Sequence, residues 1–190
     1  MMTTIHYTGL LFVSIAISTH KMFSHNFNDC KEILVTGCQR SGTTIATKII
    51  ADILDFTPVD ENDYSWNGGW APSLENLLTK SKPRSVYQGP AISHECHKVP
   101  NHMAVVFMIR DHDDIRRSMH RVKWRGEEKE LANYECTFSK NGRIERVKET
   151  AWRQSQKSQI KNAFEVRYED LRWHPFWVSK RKHFLIKQTA

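Results

Sequence analysis

Short apolar runs alternate along the chain with longer segments whose apolar residues recur every three or four positions. Residues 33–36 and 104–109 are mainly apolar and rich in β-branched side chains, which is typical of strands buried on both faces. Residues 42–54 place their apolar side chains on one stripe, which predicts an amphipathic helix. The whole pattern predicts strands at 33–36, 57–59, 85–88, 104–109 and 164–168, and helices at 42–54, 73–80, 91–98, 111–123 and 148–162.

The order of these elements indicates the fold. Strands separated by helices predict a parallel sheet covered on both faces, so the fold class is α/β, a three-layer sandwich with a central parallel sheet. We assign residues 31–190 to this domain and residues 1–30 to an N-terminal extension that is either disordered or a targeting segment. Its apolar stretch, 10–17, is too short to span a bilayer of roughly 30 Å. We therefore expect membrane association only if residues 9–18 act as an anchor.

The segment between the first strand and the first helix is a loop bounded by Gly37 and Gly42. The spacing Gly37-x4-Gly42-x-Thr44 fits the Walker A frame, but Thr43 stands where that frame has lysine, and the positive charge lies at Arg40. A strand, a glycine-bounded turn and a helix N-terminus together bind phosphate through backbone N–H groups. The missing lysine argues against an ordinary ATPase or GTPase, while the phosphate-binding layout is kept.

Net charge and cysteine content limit the classes of ligand and the cellular compartment that we expect. The formal net charge of +7 favours an anionic ligand, but the basic run at 180–183 is short, so we expect no nucleic-acid partner. The four cysteines have no paired metal-ligand spacing, and we expect no metal site. We interpret all four as free thiols, which suits a reducing compartment and a cytoplasmic location. They are Cys30, Cys38, Cys96 and Cys136.

Parallel sheets bind ligands at the carboxyl ends of their strands. This rule brings the loop 37–44, the acidic pair Asp60 and Glu61, the segment 88–90, Arg110 and Tyr168 to one rim. The connectivity therefore turns scattered polar residues into one candidate site. Further acid–base candidates near it are His94 and His97, because histidine titrates near neutral pH.

Three segments together resemble the sulfotransferase superfamily. Arg-Ser-Gly-Thr-Thr at 40–44 looks like the family's loop for a 5′-phosphosulfate, most closely that of its tyrosylprotein and carbohydrate branches. Phe-Met-Ile-Arg-Asp at 107–111, followed by Ser118, is similar to the strand-end Arg-Asp and serine that hold a 3′-phosphate. Val-Arg-Tyr-Glu-Asp-Leu at 166–171 is similar to the "RYEDL" junction, and the resemblance covers about residues 31–175.

The resemblance implies a P-loop NTPase-like (sulfotransferase-like) form of the α/β fold and a role for each matching residue. The implied cofactor is 3′-phosphoadenosine-5′-phosphosulfate (PAPS), with adenosine 3′,5′-bisphosphate as product and no required metal. Asp60 and Glu61 lie some twenty positions after Arg40, in the region where the family has its general base. The implied role of Arg40 is to neutralise the charge of the leaving group. The implied cofactor-binding residues are Gly37, Arg40, Ser41, Gly42, Thr43, Thr44, Arg110, Ser118 and Tyr168.

We therefore expect a sulfotransferase that moves a sulfuryl group from PAPS to a hydroxyl or amine of a small molecule, glycan or peptide. Two alternatives stay open. One is a P-loop nucleotide kinase or NTPase, against which Thr43 counts. The other is a catalytically inactive nucleotide-binding module of the same fold, suggested by Gln88 where the family often has lysine.

Overall fold

The computed structural model describes residues 27, 29–65, 72–122, 146–172 and 174–177, excepting the side chains of 146–150. Most of the extension 1–30 therefore lies outside the described residues. The strands are β1 (Glu32–Gly37), β2 (Thr57–Val59), β3 (Ser85–Gln88), β4 (Met103–Ile109) and β5 (Ala163–Arg167). The helices are α1 (Thr43–Leu54), α2 (Leu74–Lys80), α3 (His112–Arg121) and α4 (Arg146–Lys157), with 3-10 segments at Glu61–Asp63, Ser93–Lys98 and Tyr168–Leu171.

All five strands pair in parallel in one sheet, in the order β2-β3-β1-β4-β5. Side chains of β1 alternate between two hydrophobic cores, one on each face of the sheet. Ile33 and Val35 pack with the isoleucines of α1, whereas Leu34 packs with leucines of α2 on the opposite face. The predicted α/β class, a central parallel sheet flanked by helices, is confirmed.

The strand order determines where a ligand can bind. The chain leaves β1 towards β2 on one side of the sheet and leaves β4 towards β5 on the other. Adjacent parallel strands whose connections run in opposite directions open a crevice at their carboxyl ends. That crevice lies between Gly37, at the end of β1, and Met108, its register partner near the end of β4.

All five predicted strands are present, with ends that match or differ by one residue, but two helical predictions need correction. Residues 93–98 form a 3-10 segment instead of an α-helix. Helix α4 ends at Lys157 rather than at 162, and its residue Ala151 is exposed. Its buried face carries Arg153 (8% exposed), whose Nε donates to Glu165 Oε1 of β5 at 3.3 Å. At this position an ion pair takes the place of the apolar contact that helical periodicity predicts.

The cysteine prediction is wrong in one respect. Cys30 and Cys96 are free, as predicted, and both are buried, but Cys38 is disulfide-bonded. Cys136 lies outside the described residues. Because disulfides persist mainly in oxidising compartments, the free-thiol argument for a cytoplasmic location loses its basis. No helix in the described part of the chain is both long enough and apolar enough to cross a membrane.

Candidate functional site

The loop 37–44 follows β1 and has an unusual backbone. Gly37, Arg40 and Gly42 all have positive φ, at 139°, 66° and 103°. At Gly37, an added Cβ would lie 2.8 Å from the carbonyl oxygen of Met108. A side chain at this position would therefore push the loop away from β4, and glycine keeps the two strand ends in contact.

Glycine is required at position 42 because the ring of Tyr168 fills the space that a side chain would occupy. A Cβ at Gly42 would lie 2.3 Å from Tyr168 Cδ2 and 2.6 Å from Cε2. The same ring is stacked by Arg110, whose guanidinium carbon lies 3.9 Å from the ring centroid, and is met edge-on by Trp177 at 4.6 Å between centroids. Tyr168 thus joins the start of α1 to the residue that follows β4.

Arg110 also holds the loop directly. Its Nη1 donates to the carbonyl oxygen of Arg40 at 2.9 Å, which stabilises the left-handed backbone of Arg40. The Nε of Arg110 is buried and has no hydrogen-bond partner within the described part of the chain. The arginine that sequence analysis assigned to a terminal phosphate therefore has a second role as a support of the loop.

The side chain of Arg40 reaches across the crevice to α3. Its Nε donates a long hydrogen bond, 3.4 Å, to Ser118 Oγ, so residues 78 positions apart meet. Burial lowers the pKa of Arg40, and the positive charges of Arg110 and Arg121 lower it further. Cations crowded in this way are stabilised by an anion, since it relieves their mutual repulsion.

The N-terminus of α1 is open to an anion. Gly42 supplies no side-chain cap, and the first turn carries no acidic residue. By contrast, the side chains of Ser73 and Asp111 cap α2 and α3. The uncapped N–H groups and the positive end of the helix dipole favour negative charge beside Arg40.

The three hydroxyl residues of the loop differ in position. Ser41 is fully buried, its amide donates to the carbonyl oxygen of Cys38 at 3.0 Å, and its Oγ has no partner within the described residues. Its role in this structure is therefore to close the loop. Thr43 is buried and Thr44 is exposed at the start of α1.

Asp60 and Glu61, the candidate bases, are distinguished by their surroundings. Asp60 is the N-cap of the 3-10 turn, where its Oδ1 accepts from the amide and the side chain of Asn62 at 3.1 and 2.6 Å. Burial raises the pKa of Glu61, the charge of Asp60 raises it further, and a hydrogen bond from the Ala91 amide lowers it. Glu61 Oε2 is buried without a hydrogen-bond partner in the described residues. Glu61 is therefore the stronger candidate.

Two hydrogen bonds link the residue that follows this acidic turn, and the end of β1, to the segment 88–89. Tyr64 OH donates to the carbonyl oxygen of Gln88, at the end of β3. Thr36 Oγ1 of β1 donates to the carbonyl oxygen of Gly89 at 2.8 Å. Glu61 and Arg40 form no hydrogen bond or ion pair with each other among the described residues.

The two histidines lie in a different setting. His97 Nδ1 is 2.8 Å from Gln156 Oε1 of α4, and Cys96 Sγ is 3.7 Å from the same oxygen. His94 is half-buried beside Glu95, on the same short 3-10 segment. The contact of His97 with Gln156 fits packing against α4 rather than acid–base work at the rim. Within the described residues, no group of three His, Cys, Asp or Glu side chains could hold a metal.

Sequence reasoning missed two arginines near the site. Burial raises the pKa of Tyr168, whereas the positive charges of Arg110, Arg121 and Arg172 lower it. Arg121 lies in the last turn of α3. Arg121 comes three residues after Ser118, and this helical spacing could have identified it. Arg172 directly follows the Tyr168–Leu171 segment, and no sequence signal pointed to it.

The structure thus brings most of the predicted site together around Gly42 and Tyr168. The members that meet there are Gly37, Arg40, Gly42, Arg110, Ser118 and Tyr168. Comparisons with protein-family models, with curated proteins and with solved structures found no match to this chain. The geometry and the sequence motifs therefore carry the functional argument.

Proposed function

We propose that this protein is a PAPS-dependent sulfotransferase with a P-loop NTPase-like fold. The observation that carries the proposal is the meeting of three motifs separated in sequence. The loop 40–44, the strand-end Arg110 with Ser118, and Tyr168 of the third motif contact one another at the carboxyl edge of the sheet. A phosphate-containing ligand that contacts all three motifs would account for their meeting at this edge.

The residues present fit a ligand with phosphate groups. The open N-terminus of α1 and the guanidinium of Arg40 would hold the 5′-phosphosulfate. Ser118 and the remaining N–H groups of Arg110 would hold the 3′-phosphate; one such group, Nε, has no partner within the described residues. When bound, PAPS supplies the activated sulfuryl group.

The chain's own residues would position the reactants and stabilise charge. By analogy with phosphoryl transfer, in-line transfer depends mainly on orientation and on neutralising the leaving oxygen, which Arg40 would do. Glu61 would take the proton from the acceptor hydroxyl or amine. Its raised pKa makes it a stronger base than an exposed carboxylate, provided that it is ionised at the working pH.

Binding and transfer can be tested separately. We expect calorimetry to detect adenosine 3′,5′-bisphosphate binding that weakens at least tenfold in Arg40→Ala, because a charge-assisted contact to phosphate is lost. No binding at millimolar nucleotide would refute the proposal.

The base is tested by a matched pair of variants. Transfer of labelled sulfate from PAPS to a panel of hydroxyl and amine acceptors should fall by about 10²–10⁴ in Glu61→Gln with nucleotide affinity unchanged. Asp60→Asn is the control, because asparagine keeps the cap and activity should persist. Nucleotide binding without transfer to any acceptor would favour the inactive binding module.

The acceptor class, a small molecule, glycan or peptide, belongs to the same proposal. The Cys38 disulfide favours an oxidising compartment over the cytoplasm that the cysteine pattern suggested.

The kinase or NTPase alternative makes a different prediction. Mg²⁺-dependent ATP turnover in the absence of sulfate transfer would support that alternative.

A further inference from the structure

Trp177 follows the third motif by six residues and belongs to none of the three motifs. Its backbone amide donates to the carbonyl oxygen of His174 at 2.8 Å, which closes one turn of the chain. Its indole is partly buried against the hydrophobic core that contains the isoleucines of α1. The tertiary structure, and no sequence motif, therefore brings this residue towards the candidate site.

The indole of Trp177 contacts the ring of Tyr168 edge-on. The two ring centroids are 4.6 Å apart and the ring planes are inclined by 83°, which is at the close end of the range for favourable aromatic pairs. The same Tyr168 ring is stacked by Arg110 at 3.9 Å and fills the space beside Gly42. Trp177 thus touches the ring on which both the start of α1 and the residue after β4 are packed.

The position of the Tyr168 ring affects Arg40 through Arg110. Arg110 Nη1 donates to the Arg40 carbonyl oxygen at 2.9 Å, and Arg40 has a φ of 66°, which is unfavourable for a residue with a side chain. If the ring moves, Arg110 loses its stacking surface and this hydrogen bond weakens. Arg40 can then leave its left-handed conformation, and its Nε loses the 3.4 Å hydrogen bond to Ser118 Oγ.

We propose that Trp177 is a positioning residue of the ligand site: it fixes the Tyr168 ring and, through Tyr168 and Arg110, the conformation in which Arg40 meets an anionic ligand. This inference rests on the proposed function and adds to it a residue outside the three motifs. We assign Trp177 no contact with the ligand, so its effect on affinity should depend on Tyr168.

Calorimetry with adenosine 3′,5′-bisphosphate tests the proposal, on variants that circular dichroism shows to be folded. Trp177→Ala should weaken binding about three- to tenfold, because the Tyr168 ring is no longer held. Trp177→Phe should stay within about twofold of the unaltered protein, because an aromatic ring still meets Tyr168. In a Tyr168→Leu background, Trp177→Ala should change the affinity less than about twofold, because the contact that it removes is already absent.

Phe27→Ala is the matched control. Phe27 meets Phe164 edge-on at the same centroid distance, 4.6 Å, and in the same core, but it precedes β1, at the end of the strands opposite to the loop 37–44. We expect this variant to lose stability, as Trp177→Ala does, while its nucleotide affinity stays within about twofold of the unaltered protein. A comparable affinity loss in Phe27→Ala would overturn the inference, because it would indicate a general effect of a weakened core.

Unchanged affinity in Trp177→Ala would refute this inference alone, and so would an equal loss in the presence and absence of Tyr168→Leu. Failure of the unaltered protein to bind the bisphosphate would refute the proposed function and this inference with it.

Discussion

Substituting Gly42 by alanine tests the packing on which the whole site depends. The new Cβ would lie 2.3 Å from Tyr168 Cδ2, where non-bonded carbons normally stay about 3.5–4.0 Å apart. The ring must therefore move by more than about 1 Å. Such a shift disturbs the Arg110 stacking at 3.9 Å and, through Arg110, the hydrogen bond that holds the Arg40 carbonyl.

Two separable terms contribute to the loss of stability. Backbone strain at φ 103° and ψ 19° costs an alanine about 1–2 kcal/mol. Overpacking against the ring costs about 1–3 kcal/mol more, because Tyr168 is itself packed against Arg110 and Trp177. We expect the free energy of unfolding to fall by about 2–5 kcal/mol in total.

A double-mutant cycle in urea, followed by far-UV circular dichroism, separates these terms. In a Tyr168→Ala background the clash is gone, so Gly42→Ala should cost only the strain term of about 1–2 kcal/mol. Gly89→Ala is the control: its Cβ would meet the flexible side chains of Leu34 and Ile92, so its cost should be the same in both backgrounds. If Gly42→Ala costs the same in both backgrounds, within about 0.5 kcal/mol, the proposed contact with Tyr168 is refuted.

Three further predictions concern other parts of the chain. Because burial raises the folded-state pKa of Glu61, the native protein holds a proton that the unfolded chain has lost, so the wild type should lose stability relative to Glu61→Gln as pH rises from about 4.3 through the raised pKa. A pH-independent difference in urea midpoints would contradict this. A dithiol reductant should lower the free energy of unfolding by about 2–4 kcal/mol and should have no such effect on Cys38→Ser. Equal sensitivity of both proteins would contradict a stabilising disulfide. Arg153→Ala should cost about 2 kcal/mol, against less than about 1 kcal/mol for the exposed Arg84→Ala, in the same unfolding assay. Similar costs for the two would show that the pair with Glu165 does not stabilise α4.

Local pattern predicted the elements well because each strand and helix depends on neighbours in sequence. The buried runs at 33–36 and 104–109 and the isoleucine stripe of 42–54 needed no tertiary information. Helix α4 shows the limit of the method, since its buried Arg153 is satisfied by Glu165 and periodicity expects an apolar residue there. The disulfide of Cys38 shows the same limit of prediction from local pattern, because residue spacing alone does not determine which thiols meet.

The sequence by itself determined the α/β fold class and the loop between Gly37 and Gly42, and it supplied the residues from which we infer a phosphate-containing ligand. The tertiary structure decided how those residues act. It packs Tyr168 against Gly42, joins Arg40 to Ser118 across 78 positions, and gives Arg110 the carbonyl oxygen of a residue 70 positions away. It also distinguishes Glu61, whose Oε2 is buried without a hydrogen-bond partner in the described residues, from Asp60, whose Oδ1 accepts hydrogen bonds from Asn62. These distinctions depend on strand order and close packing between distant segments, which local residue patterns do not encode.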